Sequence, residues 1–228
     1  MDYIVDGLKQ GLALLLPPSR EVLQIIALSL AVSGAATVLA SLAAIPAALF
    51  LALREFRGRR LLVGLVNTAM AVPAVLIGLL VYGLVSRRGP LGMLGLLFTP
   101  GAMVLAQALL AFPLITALAL AALKGVAREA RDLALSLGAN RRQLAAAVIR
   151  QGRFAFLTAI IAGFSRVIGE TGMTLMVGGN IKGHTRVLTT AISLETMKGN
   201  FEIGIALGIV LLLAALVVNI ALQGVQGR

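Results

Sequence analysis

Five stretches of this chain are long and apolar enough to cross a bilayer, and four of them contain no charged residue. They run approximately from Leu28 to Leu53, Leu61 to Val85, Gly101 to Leu123, Phe154 to Val177 and Ile203 to Leu222. A helix needs about 20 apolar residues to span a hydrocarbon core, where every backbone polar group must be bonded within the protein. The pattern therefore predicts an all-α, polytopic membrane helical bundle. Composition agrees, with 13% charged residues and a mean hydropathy of +1.00, against about 25% charged residues in soluble domains.

The segment from Tyr3 to Leu16 is too short to cross, and Pro17 and Pro18 stop it. Residues 1–18 are expected to form an amphipathic interfacial segment, with a sixth span as the alternative, and residues 19–228 a single transmembrane domain. The first span can begin as early as Glu21. The N-terminus, with Asp2, Asp6 and Lys9, lacks the basic start and small-residue cleavage site of a signal peptide, so it reads as mature protein.

The formal net charge is +11, but the basic residues cluster between spans without interleaved aromatics. That pattern argues against nucleic acid as a partner and sets topology instead. Arg54 to Arg60 contains four basic residues and Lys124 to Arg153 seven, whereas the alternate connections have Arg87 and Arg88, or Lys182, Arg186 and Lys198. The expected orientation puts the N-terminus outside, with the connection 124–153 and the C-terminus in the cytoplasm.

The fourth span is the exception to the uncharged rule. Arg166 lies twelve residues beyond Phe154, about 18 Å along a helix and so near mid-bilayer. Glu170 follows at i+4 on the same face, where the two can pair. Two readings stay open: a salt bridge that fastens the bundle, or a pair bordering an anion path or gate. Gly169, Gly172, Gly178 and Gly179, with Thr171 and Thr174, surround the pair and either expose backbone N–H groups to an anion or allow close helix packing.

Pro46, Pro113 and Pro73 fall within spans, as helix packing features or as kinks around a pathway. In the outer segment from Gly178 to Glu202, Val187, Ala191, Leu194 and Met197 recur at helical spacing. A short helix there would either form a docking face or cap the bundle. His184 has no neighbouring metal ligands and reads as a solvated side chain.

The inner connection reads as helix, break, helix. Arg128 to Leu137 contains strong helix formers, Gly138 suits a C-terminal cap, and Asn140 can cap a helix over Arg141 to Arg150. Aligned on Gly138, Asp132, Leu133 and Ala134 resemble the Glu-Ala-Ala of the loop by which ABC-importer permeases hold their ATPase, although Leu133 replaces an alanine. The later Ile-x-Leu-Pro element falls on Val148 to Gln151 and loses its proline. Ala162-Gly-Phe-Ser-Arg-Val-Ile-Gly-Glu-Thr-Gly-Met-Thr-Leu-Met-Val-Gly-Gly-Asn-Ile extends the resemblance to the molybdate and tungstate branch, and its ending is more similar to the tungstate type. The match covers roughly residues 21 to 225.

The resemblance implies a type I ABC-importer permease in a bacterial or archaeal cytoplasmic membrane, built as a homodimer. Two ATPase subunits would dock inside and a substrate-binding protein outside. Asp132, Ala134, Leu137, Gly138, Ala139, Asn140 and Arg141 would form the ATPase-coupling loop, and Arg166, Gly169, Glu170, Thr171 and Thr174 the pathway or gate. The chain has no Gly-x-x-x-x-Gly-Lys-Ser/Thr motif, so ATP and magnesium belong to the partner and no cofactor is expected on this chain. Alternatives are a molybdate or other oxyanion permease, a passive channel, or a structural membrane subunit. An intramembrane enzyme is disfavoured by one His, no Cys and a single carboxylate within the five spans.

Overall fold

Uncharged apolar sequence propagates a helix until a proline, a glycine pair or a charge cluster intervenes. The computed structural model describes residues 19–136 and 140–226, and all regular elements among them are helical. They are α1 (Arg20–Leu53), α2 (Arg59–Ala69), α3 (Ala74–Val85), α4 (Pro100–Ser136), α5 (Arg141–Ile168), α6 (Gly172–Gly178), α7 (Leu188–Met197) and α8 (Phe201–Gln226), plus one 3-10 turn at Gly92–Leu94. Helices α1, α4, α5 and α8 are each long and apolar enough to cross a membrane, and α2 with α3 makes a fifth span if a bent pair counts as one. The expected interfacial segment 1–18 lies outside the described residues.

The first span takes the earlier of its expected starts because Ser19 caps it, its hydroxyl accepting the Val22 N–H at 3.2 Å. Along α1, Ala36, Ala40, Ala44 and Ala48 form a buried stripe, while Val38, Leu39 and Leu42 point outward. Helix α4 answers with buried Ala102, Ala106, Ala111 and Ala119, and α1 packs mainly against it. Small residues let the two backbones approach, leaving the large aliphatics for lipid. Pro46 and Pro113 are carried inside unbroken helices, whereas Pro73 starts α3.

Three expectations change in detail. The inner connection is not a separate pair of short helices: α4 continues to Ser136 and α5 begins at Arg141, so both spans run directly into it. Nothing between Leu123 and Ser136 breaks a helix strongly enough to stop α4. The second span is an elbow, with α2 and α3 bent by 98° where Met70 to Pro73 interrupts the ladder. The fourth span is also split, α5 ending at Ile168 and α6 restarting at Gly172.

The outer helix forms where its spacing placed it. Val187, Leu188 and Ala191 of this helix and its cap are buried, and the Leu188 N–H donates to Ser29 Oγ of α1 at 2.8 Å. It is therefore a packed element of the bundle. Its link to α8 is fixed by Glu195, whose carboxylate accepts from the Lys198 ammonium and the Asn200 amide, both at 2.8 Å.

Two measurements test this packing. A Cβ on Gly163 of α5 would lie 2.6 Å from both Cγ1 and Cδ1 of Ile115 on α4. Gly163→Ala should lower thermal stability in detergent, by about 1–3 kcal/mol of overpacking, and Ile115→Ala should relieve part of that loss in the double variant. At the outer turn, hydrogen bonds from Asn200 and then Lys198 lower the Glu195 pKa. The turn is stabilised above the ordinary glutamate pKa and loses that stabilisation as pH falls through the lowered folded value. Asn200→Ala should raise the Glu195 pKa, read from its carboxyl carbon shift.

Candidate functional site

A helix interrupted inside a bilayer exposes backbone groups that water cannot reach, so side chains must satisfy them. At the α5 to α6 break the Glu170 N–H still donates to Val167 O at 3.1 Å, and the Leu175 N–H to Thr171 O at 2.8 Å. The Glu170 carbonyl accepts two hydroxyls, from Thr174 on α6 at 2.9 Å and from Thr189 on α7 at 3.2 Å. Both threonines are buried. Because Leu188 meets Ser29, nine residues beyond Arg20 on α1, this break sits at a level roughly 13 Å along that helix from its start, well within its apolar length.

Gln107, buried on α4, extends the network. Its Nε2 donates to Thr174 Oγ1 at 3.4 Å, an orientation required because the Thr174 hydrogen is committed to Glu170 O. Gln107 Oε1 has no partner among the described residues. The sequence reading did not single out Gln107, Thr189 or Asn219. The usable signal was that Gln107 and Asn219 are lone amide side chains in otherwise apolar spans.

The charged pair forms as expected, with Arg166 Nη1 3.0 Å from Glu170 Oε2. Its two members differ in environment: the glutamate side chain is 13% exposed and the arginine 46%. Arg166 occupies the last turn of α5, and beside it Ser165 Oγ donates to Asn219 Oδ1 of α8 at 3.3 Å. Ser165, Arg166 and Asn219 thus make a polar strip on a surface otherwise rich in exposed Leu, Ile and Val. A guanidinium has five N–H donors, and only Nη1 has a hydrogen-bond partner among the described residues.

The two breaks face each other. Gly78 of α3 packs so closely on Met173 of α6 that a Cβ would lie 3.0 Å from the Met173 Cα, and a Cβ on Gly172 would lie 3.3 Å from Val75 Cγ2. Half-helices α3 and α6 therefore run side by side from their starts, with Glu170 Oε1 4.0 Å from the Gly172 Cβ position. Gly178 packs against Met103, and Gly179 takes a left-handed φ of 74° to end α6. Close packing is thus the role seen for Gly172 and Gly178, while space around Gly169 is open. Thr171 precedes α6 with its hydroxyl uncommitted among the described residues, whereas Thr174 is committed to holding the break.

Of the expected coupling residues, Asp132 and Ala134 lie on the terminal turns of α4, and Leu137, Gly138 and Ala139 fall outside the described residues. Asn140 caps α5, which begins at Arg141. Its Oδ1 accepts the Gln143 N–H at 3.0 Å while Gln143 Oε1 accepts the Asn140 N–H at 2.8 Å, a reciprocal capping box.

The network makes a specific energetic prediction. Thr174→Val keeps shape but leaves the Gln107 amide without a partner, and should cost about 1–3 kcal/mol. Adding Gln107→Leu should recover much of that loss in a melting experiment. Independent, additive losses would show that the two side chains are not coupled.

Three relatives match nearly all or most of the chain. The tungstate uptake system permease protein TupB of Peptoclostridium acidaminophilum is 40% identical over 226 residues, covering 99% of each chain. The protein of the same name from Campylobacter jejuni is 40% identical over 96% of this chain and 92% of its own. A probable anion ABC transporter permease protein of Haloferax volcanii is 42% identical over 86% of each. Relatives named for molybdenum share 29 to 32%. The profile of binding-protein-dependent transport system inner membrane components matches residues 44–228, the segment that contains the elbow, both long inner helices and the charged break. This chain belongs to that family and is a multi-pass membrane permease of the ABC-importer class.

Proposed function

We propose that two copies of this chain form the pore through which an ATP-driven importer moves tungstate inward. The observation that carries the reading is Arg166, nearly half exposed beside a mid-span helix break. A guanidinium in that position is too costly to face acyl chains, so it borders water or a second copy. Two such copies set paired cations around a common axis, and each Glu170 weakens its own arginine's hold on an anion. Weak binding lets the ion leave. High-affinity recognition then rests with an external binding protein.

Helix continuity supplies the coupling. An ATPase subunit docked at the connection near Asn140 would act on the start of α5, which runs unbroken to the turn holding Arg166. That distance is about 38 Å at 1.5 Å per residue. A rigid helix transmits displacement over this length, and the break beyond Ile168 is where the movement is absorbed. The basic connection is assigned to the cytoplasm on the charge bias of the loops, with the N-terminus outside. ATP and magnesium would be bound by the ATPase subunit, since this sequence has no phosphate-cradling glycine motif. Tungstate is favoured over molybdate because the relatives named for tungstate share more of the sequence over more of its length.

Reconstitution into liposomes with the ATPase subunit and the binding protein tests this. Tungstate uptake should require ATP, and excess molybdate should compete less well than tungstate. Arg166→Ala should reduce uptake by about tenfold or more, equivalent to 1.4 kcal/mol, while the ATPase subunit still co-purifies. Wild-type uptake by that variant leaves the pair as a structural clasp. ATP-independent flux through the isolated chain makes it a channel.

A further inference from the structure

A second charged feature lies at the opposite end of the bundle from the α4 to α5 connection. A cavity of about 680 Å³ opens beside the start of α1, lined at its rim by Arg20, Glu21, Lys182, His184 and Arg186. Glu21 gathers the loop cations, with Lys182 Nζ at 2.7 Å and Arg186 Nη1 at 3.7 Å. Arg186 Nε also donates to Asn180 Oδ1 at 3.3 Å, so its guanidinium is held in place. Three permanent cations against one carboxylate leave an excess of two positive charges. Below the rim Gln24 adds one polar side chain, and beyond it the wall turns apolar with Ile25, Ala27, Leu28 and Ala31 of α1. Ala31 is eleven residues beyond Arg20, about 16 Å down the helix.

We propose that this cavity binds an anionic glycerophospholipid, with its phosphate on the Arg20, Lys182 and Arg186 rim and an acyl chain against the apolar wall of α1. The depth gradient is what selects a lipid. Arg20 begins a helix long and apolar enough to span a membrane, which sets it at headgroup level, while exposed Ala27 and Ala31 lie two and three turns deeper on the same helix. Basic residues near a membrane surface attract anionic headgroups, and a groove descending from them accepts the attached chain. A small tetrahedral oxyanion would leave the apolar wall unused and would meet the Glu21 carboxylate among its ligands. An acidic protein surface would touch the rim but could not enter a groove that opens toward lipid. The inference rests on the chain being membrane-embedded and is independent of the transported ion.

Native mass spectrometry of the full chain released from nanodiscs of equal phosphatidylglycerol and phosphatidylcholine tests it. Phosphatidylglycerol should be retained in preference to phosphatidylcholine. Arg20→Gln with Lys182→Gln should cut that preference by about fivefold per charge removed. Ala31→Trp, which fills the groove and leaves every charge in place, should also release the lipid; Ala27→Leu does the same with a smaller change if the tryptophan variant does not fold. Equal retention of the two lipids overturns the proposal. So does displacement of phosphatidylglycerol by millimolar inorganic phosphate, which would mark a simple anion site. A charge dependence that survives groove filling overturns it in favour of headgroup attraction at the rim alone.

Discussion

The carbonyl oxygen of Glu170 is the point on which the functional half of the bundle depends. Interrupting a helix at mid-depth leaves backbone acceptors that lipid cannot satisfy. Thr174 satisfies this one from within the chain's next half-helix, and Thr189 from the outer helix. The first bond ties the break to α6, and the second ties it to α7. Through Thr174 the same carbonyl is tied to Gln107 on α4, a helix that also packs on α1 and α5. One backbone carbonyl thus links two buried threonines and a buried glutamine in one connected set.

That arrangement separates two tasks of the fourth span. Thr174 and Gln107 are buried and hold the break; Arg166 is half exposed and carries charge to the surface. The elbow at Met70 to Pro73 adds a second discontinuity, and Gly78 against Met173 sets the two half-helices in contact. Rigid parts surround them. Helix α4 runs from Pro100 to Ser136 and α5 from Arg141 to Ile168, so continuous helix joins the inner connection to the turn that holds Arg166. Bilayer packing logic is visible throughout, with alanines and serines between helices and leucines outside.

Charge at the helix break and charge at the start of α1 have different surroundings. The break holds an ion pair whose glutamate is largely covered and whose arginine is half exposed. The rim near Arg20 instead combines cations with an apolar descent along α1. Both features use arginine, but local polarity distinguishes them: the first has Ser165 and Asn219 beside it, the second alanine and leucine.

Much of the architecture was legible from the residues. Spans, their near-total lack of charge, the outer helix through Val187 and Ala191, the Asn140 cap and the Arg166 to Glu170 pairing all follow from interactions within a few residues of one another, which periodicity and spacing encode directly. The residues from 124 to 180 likewise carry the family resemblance in their sequence alone. Tertiary structure decided what depends on distant partners: that the fourth span breaks at Gly169 to Thr171 and the second bends by 98°, that Thr174 faces inward while Arg166 faces outward, and that Gln107 joins them. A glycine or proline in an apolar run is compatible with either a continuous or a broken helix. Only a neighbouring chain segment able to bond the freed carbonyl settles which forms, and Thr189 lies nineteen residues from Glu170 in sequence.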